Sequence, residues 1–85
     1  MSQLTQQAPF PGVFYCRPSP DSDPFVEPGS SVDANTTIGL LEVMKQFVEV
    51  KAEAAGKVLE VLAGDEQLLE AGDDILVIDT SGEGA

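Results

Sequence analysis

Two segments of this 85-residue chain can be laid over each other, and few folds are compatible with that constraint. Val32-Asp33-Ala34-Asn35-Thr36-Thr37-Ile38-Gly39-Leu40-Leu41-Glu42 matches Leu69-Glu70-Ala71-Gly72-Asp73-Asp74-Ile75-Leu76-Val77-Ile78-Asp79 at a constant offset of 37. Apolar residues fall on apolar residues, acids on acids, and the turn residue Asn35 on Gly72. Asn and Gly most readily take positive φ, so the exchange is expected to preserve the turn chemistry. Upstream, Pro11-Gly12-Val13-Phe14 pairs with Ala55-Gly56-Lys57-Val58 at an offset of 44. The difference, 44 − 37 = 7, is about the length of the proline-rich stretch 17–24. The chain therefore reads as two copies of one four-strand unit, with a loop inserted in the first copy and Lys45 at the junction.

Local composition pulls partly the other way. Residues 44–55 and 57–71 are rich in Ala, Leu, Glu and Lys, and taken singly they favour helices. Gly56, Gly64 and Gly72 recur every eight residues, a strand-and-turn rhythm, and each would cost a helix about 1 kcal/mol relative to alanine. Val48-Glu49-Val50-Lys51-Ala52-Glu53 alternates at the period of a half-buried strand, and Ile75-Leu76-Val77-Ile78 reads as a buried one. Val13-Phe14-Tyr15-Cys16 has the β-branched and aromatic content of a first strand. Arg17-Pro18-Ser19-Pro20-Asp21-Ser22-Asp23-Pro24 cannot enter a sheet, because proline removes donors and fixes φ; it is expected to be a semi-rigid protruding loop. The polar residues 1–7 are expected to fray, the fold to occupy 8–79, and 80–85 to form a flexible tail.

Size and charge exclude several kinds of activity. A chain this short buries only about 60% of its unfolded surface, so it forms one small domain without a large concave active site. Fifteen acidic residues against four basic ones give a net charge of −11, which repels phosphate backbones and anionic membrane surfaces; neither nucleic acid nor membrane is an expected partner. Cys16 is the single cysteine and there is no histidine, so an internal disulfide and a zinc or haem ligand set are both ruled out. The N-terminus lacks a basic start and an apolar run, and a soluble, cytoplasmic protein is expected. Carboxylate pairs such as Asp73-Asp74 and Glu66-Glu70 read as solvated surface rather than acid/base machinery. No nucleophilic triad and no phosphate loop is present, so the chain is not expected to be an enzyme.

The remaining chemistry is concentrated at Lys45. It lies between the apolar run Ile38-Gly39-Leu40-Leu41 and the alternating run Phe47-Val48-Glu49-Val50-Lys51, which places it at the tip of a hairpin. Glu42-Val43-Met44-Lys45-Gln46 resembles the Glu-Ala-Met-Lys-Met signature of biotinyl carrier domains, in which the lysine carries biotin in amide linkage. Phe14-Tyr15, then Arg17-Pro18-Ser19-Pro20-Asp21, then Pro24-Phe25-Val26-Glu27 resembles the "thumb" segment of the biotin carboxyl carriers of multi-subunit acetyl-CoA carboxylases. Lipoyl domains lack that insertion. The two-copy layout is the third point of resemblance, and together they cover residues 8–79.

The resemblance implies an all-β fold, a flattened barrel of two four-stranded antiparallel sheets related by a pseudo-twofold axis. It also implies a carrier role in fatty acid synthesis. A biotin protein ligase joins biotin to Lys45, with Glu42, Met44 and Gln46 read by the ligase; a biotin carboxylase loads the ring; a carboxyltransferase unloads it onto an acyl acceptor. The thumb is implied to hold the idle ring, with Arg17 held by Asp21 or Asp23. Ordinary lysine, with a pKa of about 10.4, is protonated at neutral pH, so such an amine must lose its proton inside the ligase before it attacks an acyl group. Val43 and Gln46 depart from the signature, where Ala and Met are usual. Two other readings stay open at this stage: a biotinyl-like docking module that carries nothing, and a lipoyl-type acyl carrier.

Overall fold

Period-two patterning and turn residues resolve into eight strands. The computed structural model describes residues 2–19 and 21–81 and contains no helix among them. In chain order the strands are β1 (Gln3–Gln7), β2 (Gly12–Tyr15), β3 (Ser31–Val32), β4 (Thr37–Val43), β5 (Gln46–Lys51), β6 (Gly56–Val61), β7 (Gln67–Leu69) and β8 (Asp74–Asp79). They form two four-stranded sheets, ordered β1-β8-β6-β3 and β5-β4-β2-β7, and every pairing is antiparallel. Exchanging β1 with β5, β2 with β6, β3 with β7 and β4 with β8 turns one order into the other. The repeat in the sequence is thus a two-fold in the topology.

The core follows the same exchange. Ile38 and Leu41 of the first copy and Ile75 and Ile78 of the second are all buried at matched positions, as are Val32 with Leu69 and Phe14 with Val58. Full burial of side chains of this size stabilises by about 1.5–3 kcal/mol each before chain entropy is counted. The matched glycines have a steric reason. A Cβ on Gly12 would lie 2.9 Å from the Glu42 carbonyl oxygen, and one on Gly56 would collide with the carbonyl oxygen of Asp79, the repeat equivalent of Glu42. Each glycine lets one strand cross close to the end of its neighbour.

The described part of the N-terminus does not fray. Gln3–Gln7 pairs along β8, from Gln3 opposite Asp79 to Gln7 opposite Asp74, and is the first strand of the first copy. Its counterpart is β5, and the apolar position of Val50 is filled in β1 by a glutamine. Gln6 is 2% exposed. Its amide nitrogen donates to the Lys51 carbonyl at 2.7 Å, and its amide oxygen accepts from the Glu53 N–H at 3.1 Å. A buried amide with both ends satisfied is tolerated, and here it joins the two sheets. Gln6→Leu is expected to strand those two backbone groups, cost about 1–2 kcal/mol and lower the melting temperature by roughly 5–10 °C in thermal denaturation.

Two smaller expectations also change. Thr80, expected in a loose tail, donates its N–H to the Ser2 carbonyl at 3.0 Å, and Asp79 Oδ1 accepts from the Ser81 N–H and hydroxyl. Those two bonds, led by the hydroxyl, hold the Asp79 carboxyl below the ordinary aspartate range. Gly72 has φ +92°, but Asn35 is not among the positive-φ residues. Asp33 shapes that turn instead, its carboxylate accepting the Asn35 N–H at 2.8 Å, an Asx-type bond that removes the need for a left-handed residue. Residues 82–85 of the expected tail, and Met1, lie outside the described residues. Among those described, no helix is long and apolar enough to cross a membrane.

Candidate functional site

The junction of the two copies is a hairpin. β4 and β5 pair from Thr37 opposite Lys51 to Val43 opposite Gln46, so the strands reach further than the apolar runs suggest and leave only Met44 and Lys45 between them. Both have positive φ, 51° and 67°, the combination of a type I′ turn, whose twist matches that of paired strands. Asn-Gly would adopt it readily; Met-Lys does so at about 1–2 kcal/mol per residue. The flanking register, fixed by buried Leu41 and Val50, imposes the turn. Lys45 is therefore exposed on a short, conformationally fixed tip, and among the described residues it makes no ion pair. Met44 is 90% exposed.

The side chains singled out around the lysine separate onto two sides of the hairpin. Glu42 lies on the outer face of the β5-β4-β2-β7 sheet, where its carboxylate accepts the Tyr15 hydroxyl at 2.8 Å. Tyr15 also packs on Phe47, ring centroids 5.6 Å apart and tilted by 58°. Met44 and Gln46 line the other side, an open groove shared with Phe10, Val43 and Val48. Tyr15 and Phe47 were not among the expected site residues; their signal was alternation, which put both on the face of Glu42.

The hydroxyl-to-carboxylate bond holds Tyr15 in its neutral form. Its pKa is raised above 10 by that bond first, then by desolvation and by the negative charges of Glu42, Glu66 and Asp65. This contribution to stability is present below the unfolded value of about 10 and is lost as pH rises through the folded one. Tyr15 is the single tyrosine and there is no tryptophan, so ultraviolet titration reads it alone. Tyrosinate is expected to appear at higher pH in the wild type than in Glu42→Ala.

The proline loop folds over this same face. Its base is closed by the Phe25 N–H donating to the Cys16 carbonyl at 2.8 Å, and a turn within it by the Ser22 N–H to the Ser19 carbonyl at 3.0 Å. Arg17 is not held by Asp21 or Asp23. Its guanidinium donates to the Ser22 carbonyl at 3.2 Å and approaches Asp65 at 3.7 Å; the other Asp65 oxygen accepts the Cys16 N–H at 3.0 Å. An acid within the loop would stabilise only the loop, whereas Asp65, between β6 and β7, ties its root to the body. The half-exposed ion pair itself contributes about 0–1 kcal/mol. Arg17, Pro18 and Ser19 form one wall of a cleft of about 190 Å³ whose other lining includes Tyr15, Leu40 and Phe47. Asp21 is exposed and is not part of that lining, and Pro20 lies outside the described residues.

An all-β, two-fold sandwich that presents a lysine on a tight turn defines a class of attachment domain. A family model described as "Biotin-requiring enzyme", the biotin/lipoyl family, matches residues 5–78, and the chain belongs to that family. Among curated relatives, the biotin carboxyl carrier protein of acetyl-CoA carboxylase from Pyropia yezoensis is 34% identical over 73 residues, 86% of this chain and 46% of the relative. The protein of the same description from Chlamydia pneumoniae is 49% identical over 55 residues, 65% of this chain and 33% of its own length. The chain thus spans less than half the length of these relatives. Of solved structures, the urea carboxylase of Kluyveromyces lactis aligns over 93% of this chain and 6% of its own, with a TM-score of 0.74 and 26% identity. A single-chain, multi-domain long-chain acyl-CoA carboxylase aligns over 96% of this chain and 7% of its own, with a TM-score of 0.77; at 21% identity it speaks to the fold alone.

Proposed function

We propose that the chain is the biotin carrier of a multi-subunit carboxylase of the acetyl-CoA carboxylase type, with biotin joined to Lys45. The observation that supports this most directly is the exposed amine on a two-residue turn in a member of a family named for biotin and lipoyl groups. The residues present suit such a group: among the described residues no carboxylate pairs with the amine, and a cleft with an aromatic wall opens two residues away at Phe47. When attached, biotin supplies a mobile acceptor for one carboxylate, passed between a biotin carboxylase and a carboxyltransferase.

Lys45 supplies the nucleophile for attachment. Inside a biotin protein ligase the protonated amine first gives up one proton; the free Nζ then forms one amide bond to an activated carboxyl carbon and loses a second proton, as the leaving group departs with the bonding pair. The turn sets where the amine stands: with strands on both sides and positive φ at both tip residues, Lys45 is carried at the very end of the hairpin. The domain contributes position and access, and catalysis belongs to the partners. The thumb wall of Arg17, Pro18 and Ser19 is where an idle ring would rest. On this reading the chain acts in fatty acid synthesis, and in the cytoplasm.

Intact mass after incubation with biotin protein ligase, biotin and ATP tests the reading. One biotinyl adduct is expected. A lipoyl adduct formed instead in a host that holds both ligases, or no adduct with either, would remove it in favour of the lipoyl carrier or the bare docking module.

A further inference from the structure

Two turns related by the repeat are built alike and differ at one residue. At the offset of 37, Glu27-Pro28-Gly29-Ser30 falls on Gly64-Asp65-Glu66-Gln67. The Ser30 hydroxyl accepts the Glu27 N–H at 2.9 Å, as the Gln67 amide oxygen accepts the Gly64 N–H at 2.7 Å. Gly29 donates its N–H to the Val58 carbonyl and Glu66 to that of Phe14, both at 2.7 Å. Both have positive φ, +96° at Gly29 and +63° at Glu66, which glycine adopts freely and glutamate only at a cost. The second copy thus keeps a strained acid where the first makes the same turn with glycine, and that acid lines the thumb cleft. Among the described residues Arg17 is the one base in the cleft lining, against Asp65 and Glu66. Arg17 is engaged by Asp65 at 3.7 Å and by the Ser22 carbonyl, so the charge of Glu66 is left unbalanced.

We propose that Glu66 makes the thumb cleft selective for the uncharged biotin ring, so that the arm rests there when empty and leaves once it is carboxylated. The proposal rests on Lys45 carrying biotin and on the cleft being where the idle ring lies. A biotin carboxylase replaces the proton of one ureido nitrogen by a carboxylate taken from bicarbonate, while ATP is split to ADP and phosphate. A neutral ring becomes an anion, and an anion meets like charge in this cleft. The same field already acts on its wall: ionisation of Tyr15 is opposed first by the bond to Glu42, then by desolvation, then by the charges of Glu42, Glu66 and Asp65. Attachment also turns the Lys45 ammonium into a neutral amide, so loading removes one of the chain's four basic groups and leaves the field more negative. Repulsion at a solvent-screened site is enough to shift the balance between rest and release about fivefold. The empty ring has an aromatic wall to lie on and no charge to oppose. Charge alone then decides when the arm is free to travel.

Biotinylated and unmodified protein are compared by proton NMR, with the Tyr15 and Phe47 ring signals reporting occupancy of the cleft. The bare biotin ring is expected to shift both. After carboxylation with purified biotin carboxylase, bicarbonate and ATP, that shift is expected to fall about fivefold in the wild type. Glu66→Gln keeps the shape of the side chain and removes only its charge; Glu66 is exposed, so the variant is expected to melt with the wild type. In it the carboxylated ring is expected to retain most of the shift. Added salt, which reads the same property without a substitution, is expected to restore part of the shift in the carboxylated wild type. A loss as large in Glu66→Gln as in the wild type, or one that salt does not diminish, would mean that bulk rather than charge expels the ring. A carboxylated ring that keeps the full wild-type shift would mean that nothing expels it, and a bare ring that shifts neither signal would mean that it does not rest there. Each of these results overturns the proposal and leaves Lys45 as the site. A wild-type protein that takes biotin at another lysine, or takes none, removes the site and the selectivity together.

Discussion

Lys45→Arg is expected to keep its unmodified mass after incubation with biotin protein ligase, biotin and ATP, while the wild type gains a single biotinyl group. Arginine preserves charge and approximate length, so docking and fold are retained, but its guanidinium stays protonated and cannot open an acyl bond. Lys51 and Lys57 are the only other lysines, and neither duplicates the geometry. Lys51 lies within β5 with its amine 3.8 Å from Glu49, and Lys57 stands in β6 opposite Ser31 and Asp79. Both are on regular strands, where a ligase would have to approach across a sheet. Lys51→Arg and Lys57→Arg are therefore expected to load at the wild-type rate, and peptide mapping after digestion places the adduct. An adduct that survives in Lys45→Arg and disappears in either of the others would move the site off the turn.

Much of this site was legible because turn geometry and sequence period carry it. Alternation along 47–53 and the apolar run at 38–41 place the lysine at a hairpin tip before any coordinates. The length of the turn was not legible: Met-Lys lacks the Asn-Gly chemistry of a type I′ turn, and only register with the buried Leu41 and Val50 reveals it. β1 was missed for a related reason. Its inward position holds Gln6, polar by composition, and a period-two reading cannot know that Lys51 and Glu53 satisfy both ends of that amide. The partner of Arg17 was out of reach as well. Asp21 and Asp23 are near in sequence, whereas Asp65 comes close only because β2 and β7 are neighbours in one sheet. Signals local in sequence were readable, and contacts made by the sheet order were not.

The repeat itself makes the second strong prediction, since it ties the two glycines to one steric cause. In Gly56→Ala the new methyl carbon would have to share space with the Asp79 carbonyl oxygen and approach Ile78 Cγ2 at 2.7 Å. Neither can move freely: Asp79 is held opposite both Gln3 and Lys57, and Ile78 is fully buried. Overpacking of this kind costs about 3 kcal/mol, and a domain of this size loses roughly 10–20 °C of melting temperature for it. Gly12→Ala meets the equivalent oxygen, that of Glu42, at 2.9 Å and a Val43 methyl at 3.0 Å, both wider than the contacts at Gly56, so about half that loss is expected. Gly64→Ala, with only the Gln67 amide oxygen at 3.5 Å, is expected to stay within about 0.5 kcal/mol of the wild type. Thermal denaturation of the three variants checks the order. A Gly56→Ala protein that melts with Gly64→Ala would mean that the glycine pair does not mark the close crossing of the two copies. Because Gly56 sits on the opposite sheet from the hairpin, loading of Lys45 by the ligase at low temperature is expected to be unchanged in the folded variant, which separates the two-fold frame from the turn it displays.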